Sequence, residues 1–266
     1  MDLNTVREVR LARSRADLLV GGDVLPLGGG SWIYSEQQPE GRVLLDLTTM
    51  GWEPWTLTRD GGLSVAATCT IAELLRIPSH PEWTAQPLFS LCANALLASF
   101  KIWNTATVGG NIALALPAGG MVALATALDA EAVIWTASAE RRLPVADLVT
   151  GVRQTALAPD EVLRSIEFPA AALREQTAFR RISLSPLGRT GTLVIGRRGP
   201  RSGLILSITG GTWRPEVLRF AAPPSAAELS DRIAAIDSWY EDPHGSPDWR
   251  EAMTRRYAEE IREEFA

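Results

Sequence analysis

Five consecutive residues, Thr107-Val108-Gly109-Gly110-Asn111, bring together a hydroxyl, two glycines and a carboxamide. Hydroxyl and amide groups donate hydrogen bonds without carrying charge. Paired glycines leave the main chain open to close approach, and they permit the positive φ angles that aim several N–H groups at one point. Such a concavity suits an anion, above all a phosphate or pyrophosphate. An upstream run, Leu27-Gly28-Gly29-Gly30-Ser31-Trp32-Ile33, repeats the same ingredients. Either run alone also reads as an ordinary glycine turn. Neither is the G-x-G-x-x-G dinucleotide fingerprint, and no Gly-Lys-Thr of a phosphate loop occurs.

Other reactive groups are few. His80 and His244 sit beside prolines, outside any metal-ligand spacing or nucleophile elbow, and are expected in surface or capping roles. Cys69 and Cys92 are the only cysteines, which fits a reducing, cytoplasmic setting and excludes a four-cysteine iron–sulfur cluster within this chain. No catalytic side chain and no metal site is expected. A net charge of −5 with no basic block argues against nucleic acid, and the apolar runs are too short for a membrane span.

The elements that must position the two glycine runs follow from periodicity. Apolar spacing over Asn4–Leu18 predicts a short amphipathic helix. Leu19–Leu27 and Arg42–Leu47 read as strands flanking the first run. Leu63–Thr68 alternates as a strand, Thr70 caps a helix over Ile71–Arg76, and Glu82–Phe100 reads as mostly helical. Met121–Leu128 is expected as helix, with strands at Ala132–Thr136 and Val162–Phe168. Beyond Pro169 strand-like runs dominate (Phe179–Leu184, Gly191–Ile195, Gly203–Thr209, Val217–Phe220), followed by helices at Ser225–Ile236 and Pro247–Phe265. The pattern predicts an α+β protein whose C-terminal part is an antiparallel sheet backed by helices.

Taken together the two runs resemble the FAD-binding medium subunit of the molybdenum hydroxylases, the xanthine dehydrogenase and carbon monoxide dehydrogenase group. Leu27–Ile33 is similar to its Leu-Ala-Gly-Gly-Thr-x-Leu loop, and Thr107–Asn111 matches its Thr-(Ile/Val)-Gly-Gly-Asn loop. Leu128-Asp129-Ala130, the Thr155–Glu161 segment ending at Phe168-Pro169, and Asp242–Ser246 followed by Trp249-Arg250 extend the likeness along nearly the whole chain. The resemblance implies a FAD-binding domain over residues 1–169, in subdomains of about 1–53 and 54–169, and a C-terminal α+β domain over 170–266. It implies FAD held by Leu27, Gly28, Gly29, Gly30, Ser31, Trp32, Thr107, Val108, Gly109, Gly110, Asn111, Ala115 and Gly120, with Arg181 near the reduced flavin. The alternative for Arg181 is a plain surface arginine. No histidine lies beside the first run, so the flavin is expected to be non-covalent. The implied partners are a molybdopterin-binding large subunit and a [2Fe-2S] small subunit, in a heterotrimer that relays electrons to an acceptor.

The sequence also departs from that family. Leu114, Leu116 and Gly120 stand where Asn, Ser and Asp are usual, and Trp103 replaces an arginine. Each lost hydrogen bond costs about 0.5–1.5 kcal/mol. A non-catalytic assembly subunit that binds flavin poorly and a free-standing flavin oxidoreductase therefore stand as alternative readings.

Overall fold

The computed structural model describes residues 3–38 and 41–266. In chain order, the first unit holds β1 (Glu8–Leu11), β2 (Val24–Leu27) and β3 (Val43–Asp46), joined in the order β1-β3-β2 with both pairings parallel. The second runs through β4 (Trp55–Leu57), β5 (Leu63–Ala66), α1 (Ile71–Leu75), α2 (Pro87–Ala95), α3 (Phe100–Trp103), α4 (Val108–Leu114) and α5 (Gly120–Ala127). It continues with β6 (Glu131–Trp135), β7 (Glu140–Pro144), α6 (Val145–Leu148), β8 (Val149–Gly151), β9 (Gln154–Thr155) and β10 (Val162–Phe168). Its sheet is antiparallel throughout, in the order β4-β5-β10-β6-β7.

The third unit follows α7 (Ala170–Leu173). Strands β11 (Gln176–Ile182), β12 (Thr192–Gly199), β13 (Gly203–Thr209) and β14 (Glu216–Phe220) form a sequential antiparallel meander, backed by α8 (Ala226–Ala234) and α9 (Pro247–Glu264). The α+β architecture expected from the sequence is thus present, including the C-terminal antiparallel sheet and its helices.

The N-terminal segment corrects the sequence reading. Instead of an amphipathic helix over Asn4–Leu18 it forms β1 and a short 3₁₀ turn at Arg15–Asp17. Val9 and Leu11, taken as the apolar face of a helix, are 52% and 48% exposed. The segment gains main-chain pairing with β3 instead, and Asp17 closes the turn by accepting from the Arg13 and Ser14 N–H groups. Tertiary pairing outweighs local periodicity here.

The core lies between α2, α4, α5 and β10. All eight residues of α5 are buried, and their small side chains let it approach α2 closely: a Cβ on Gly120 would lie 2.2 Å from the Cys92 carbonyl oxygen. Thr70 caps α1 as expected, in a reciprocal box with Glu73. Leu193 and Ile195 of β12 belong to this central core, while Val194 faces a separate cluster with Leu229, Ile233 and Ile261 of α8 and α9. The alternation along β12 therefore fastens the third unit to the second on one face and to its own helices on the other.

Candidate functional site

Strand β2 ends at the buried Leu27 and delivers Gly28–Ile33 to the edge of the first unit. The second glycine run follows α3 and opens α4. The two touch along their main chains. A Cβ on Gly28 would lie 2.9 Å from Thr107 Oγ1, and one on Gly29 would lie 1.4 Å from the Thr105 carbonyl oxygen. Gly29 is therefore required for the contact itself. Gly30 has φ +70°, a left-handed turn residue, and its carbonyl accepts from the Tyr34 N–H at 3.0 Å.

The hydrogen-bond balance differs between the runs. Among the described residues, no main-chain N–H from Gly28 to Ile33 donates to a protein acceptor, and the Ser31 hydroxyl has no partner. In the second run the four main-chain N–H groups from Val108 to Asn111 are spent within the protein. Thr107 is the N-cap of α4 and accepts from the Gly110 N–H at 3.0 Å; Val108 N–H donates to Cys69 O at 2.8 Å, and Gly109 N–H to Ala67 O at 2.9 Å. The expectation of positive φ at Gly109 and Gly110 is overturned, since both lie in the first turn of a helix. Gly109 is instead a packing residue, because a Cβ there would lie 2.4 Å from the Ala67 Cβ.

The remaining expected site residues are built into the scaffold around this cradle. Asn111 Oδ1 accepts from the Met121 N–H at 3.0 Å and so caps the start of α5. Ala115 closes α4 in a left-handed conformation, φ 50°. Gly120 is buried against Cys92. Leu114 and Leu116 are half-buried. Arg181 donates through Nε to Thr190 Oγ1 at 2.7 Å and through Nη2 to Gly188 O at 2.5 Å, holding the β11–β12 hairpin; its burial lowers its pKa. Thr190 in turn donates to Ala95 O at 3.0 Å, which moors that hairpin to the end of α2.

The indole N–H groups of Trp32 and Trp103, next to the two runs, are buried without a protein partner. A cavity of about 380 Å³ opens beside Gly29 and Thr107, lined also by Thr48, Trp52, Thr70 and Glu73. A second cavity of the same size lies between α1 and α2, lined by Leu74, Ile77, Trp83 and Phe89. Its polar neighbours Thr84 and Gln86 are already bonded to main-chain carbonyls, so it offers a ligand little beyond apolar contact. The glycine cradle is the better site. Unpaired N–H donors in the first run, with Gly29 and Thr107 lining the cavity, fit a ligand rich in acceptor oxygens, as the diphosphate of a dinucleotide is.

His80 stacks on Trp83 and accepts from the Glu82 N–H at Nδ1, and the main-chain N–H of His244 donates to Asp242. Cys69 and Cys92 are buried free thiols, with burial pushing Cys69 up to about 12 and Cys92 higher still. Among the described residues no group of three or more His, Cys, Asp or Glu could hold a metal ion, and no helix is long and apolar enough to cross a membrane.

Sequence reasoning missed the cations that hold the scaffold. Arg250, 1% exposed, donates to the carbonyls of Gly191, Gly210 and Gly245 and pairs with Asp242. The Gly210 N–H reaches Pro117 O at 2.9 Å, which ties this knot to the chain just after α4. Arg197 joins the α5 terminus to the third unit through Ala127 O, Asp129 and Glu175. Arg15 lies over Trp135 at 4.5 Å and Arg164 over Trp52 at 4.5 Å, stapling the first unit to the second. Only Arg250 had a signal, the Asp242…Arg250 motif.

The profile of the FAD binding domain in molybdopterin dehydrogenase matches residues 9–171, and the chain belongs to that family, whose cofactor is FAD. Solved structures share the fold across nearly the whole chain. A chain of the reconstituted CO dehydrogenase from Oligotropha carboxidovorans is 22% identical, covers 100% of both chains and superposes with a TM-score of 0.81. A chain of the carbon monoxide dehydrogenase from Hydrogenophaga pseudoflava is 21% identical over 96% of this chain and 95% of that one, TM-score 0.79. One from quinoline 2-oxidoreductase of Pseudomonas putida 86 is 18% identical over 99% of each, TM-score 0.78. No curated protein sequence matches this one.

Proposed function

We propose that this chain is the FAD-binding, electron-transferring subunit of a molybdopterin-dependent hydroxylase or dehydrogenase. In this reading a molybdopterin-binding large subunit oxidises substrate, and a [2Fe-2S] small subunit passes electrons to this chain in a cytoplasmic heterotrimer. The observation that carries it is the row of unpaired N–H donors from Gly28 to Ile33, set against the Thr107 hydroxyl. These donors and Ser31 would hold the diphosphate, and the third unit, from about residue 170, would cover the flavin, with Arg181 fixing the hairpin nearby. FAD itself supplies the redox chemistry, accepting electrons singly or in pairs and passing them on. The chain's residues bind and orient it and keep water from it. With no histidine beside either run, attachment is non-covalent.

A second reading keeps the fold and the assembly role but gives up tight flavin binding. It is favoured by Leu114, Leu116 and Gly120 in place of polar residues and by the spent N–H groups of α4. Titrating the purified full chain with FAD separates the two. The first reading expects saturable uptake at one FAD per chain with release of all flavin on acid precipitation. A chain that takes up no FAD, alone or in its complex, favours the second.

A further inference from the structure

Two of the three non-glycine residues with positive φ among the described residues, Ala115 (φ 50°) and Arg153 (φ 57°), meet at the site: the Arg153 N–H donates to Ala115 O at 2.9 Å. A left-handed conformation disfavours a side-chain-bearing residue, so this one persists because the surroundings hold it. It places the β8–β9 turn against the end of α4 and aims the Arg153 side chain at the first glycine run. The guanidinium stands 5.9 Å from the Trp32 ring centroid, next to Ser31, and 3.6 Å from Glu36. Gly28 touches Thr107 at the start of α4, while Trp32 reaches the guanidinium of Arg153, whose main chain is bonded to the end of α4. Neither 28–33 nor 107–115 contains a lysine or arginine, yet a diphosphate carries two negative charges.

The geometry points to Arg153 as the cation of the cofactor site, pairing with the diphosphate of bound FAD after exchanging Glu36 for a phosphate oxygen. The inference rests on the FAD reading above. Arg153 is mostly exposed, so its contribution is moderate and screened by salt.

The test is equilibrium titration of the full chain with FAD, read by flavin fluorescence at low and high salt. Arg153→Gln keeps an unbranched side chain at the left-handed position, so backbone strain is unchanged while the charge is lost. It is expected to bind FAD about tenfold more weakly than wild type at low salt, with the gap closing at about 1 M salt. Arg153→Lys is expected to recover part of the loss. Glu36→Gln, which frees the arginine, is expected to tighten binding about two- to threefold, a change opposite in sign to that of damaged packing. Equal affinity of wild type and Arg153→Gln overturns the inference, as does a loss that is the same at both salt concentrations. A wild-type chain that takes up no FAD overturns the cofactor reading itself and this inference with it.

Discussion

At the scale of single residues, glycine acts here in three physically different ways. Gly29 allows two main chains to meet, Gly30 supplies a left-handed turn, and Gly109 lets a helix press on Ala67. The consequences of substitution differ accordingly. A methyl at Gly29 falls on the carbonyl of Thr105, which cannot swing aside, so Gly29→Ala is expected to separate the two runs and weaken FAD binding at least about tenfold by fluorescence titration. At Gly30 the obstacle is the half-exposed ring of Tyr34, a side chain free to move, and asparagine tolerates left-handed φ. Gly30→Asn should therefore bind within a few-fold of wild type, and equal losses in both variants would refute the distinction.

Among the elements, α4 and α5 are coupled by Asn111, whose carboxamide oxygen accepts from the N–H of Met121, the second residue of α5. Asn111→Ala leaves that N–H without a partner at a cost of about 1–2 kcal/mol, a fall of about 2–4 °C in the thermal midpoint measured by circular dichroism. An unchanged midpoint would mean that water replaces the cap. Strand β10 enters the sheet beside the Arg141–Glu161 pair, with Glu161 accepting from Arg141 Nε and Nη2, each at 2.6 Å. That pairing, chiefly its hydrogen bonds, lowers the Glu161 pKa below its ordinary 4.5. A carboxylate with a depressed folded pKa contributes stability above its unfolded pKa and loses it as pH falls through the folded value. Stability of the wild type should therefore fall below about pH 4.5 more steeply than that of Glu161→Gln; parallel curves would contradict this.

The elements also show what the sequence makes legible. Strand β10, the capped α1 and the long α9 are readable because a single signal dominates each: Val, Leu, Ile and Phe concentrated in a seven-residue run, the Thr70–Glu73 box, and Ser246-Pro247 opening a charged helix. Helix α4 was hidden by its own Gly109-Gly110, poor helix formers retained for packing. Strand β1 was hidden because its stability comes from pairing with β3, more than thirty residues away. In the site, the residue types of both runs were legible, but which run keeps free donors depends on Ala67 and Cys69, whose carbonyls no motif records.

Across the whole molecule, buried Arg197 joins the third unit to the second, and buried Arg250 ties the third unit together. Arg250 gathers three carbonyls and Asp242, so Arg250→Met leaves the mostly buried Asp242 carboxylate without its cation and three carbonyls without this donor, and a loss of about 3–5 kcal/mol is expected in denaturant unfolding. A shift of under about 1 kcal/mol would show that the knot is replaceable. Both cysteines sit in the central core, with the Cys69 thiol near 12. Native protein at pH 8 should therefore resist thiol labelling that goes to completion in denaturant. Labelling of either cysteine in the folded chain would place that core closer to solvent than described.

The central claim is that the open donors of Gly28–Ile33 make this chain a carrier of FAD, and it is tested most directly by the flavin content of the chain purified in its native assembly. Acid precipitation followed by mass spectrometry of the supernatant should yield FAD, stoichiometric with the chain and with none left on the protein. A flavin-free chain in an intact complex, FMN in place of FAD, or flavin retained covalently in the pellet would contradict the account.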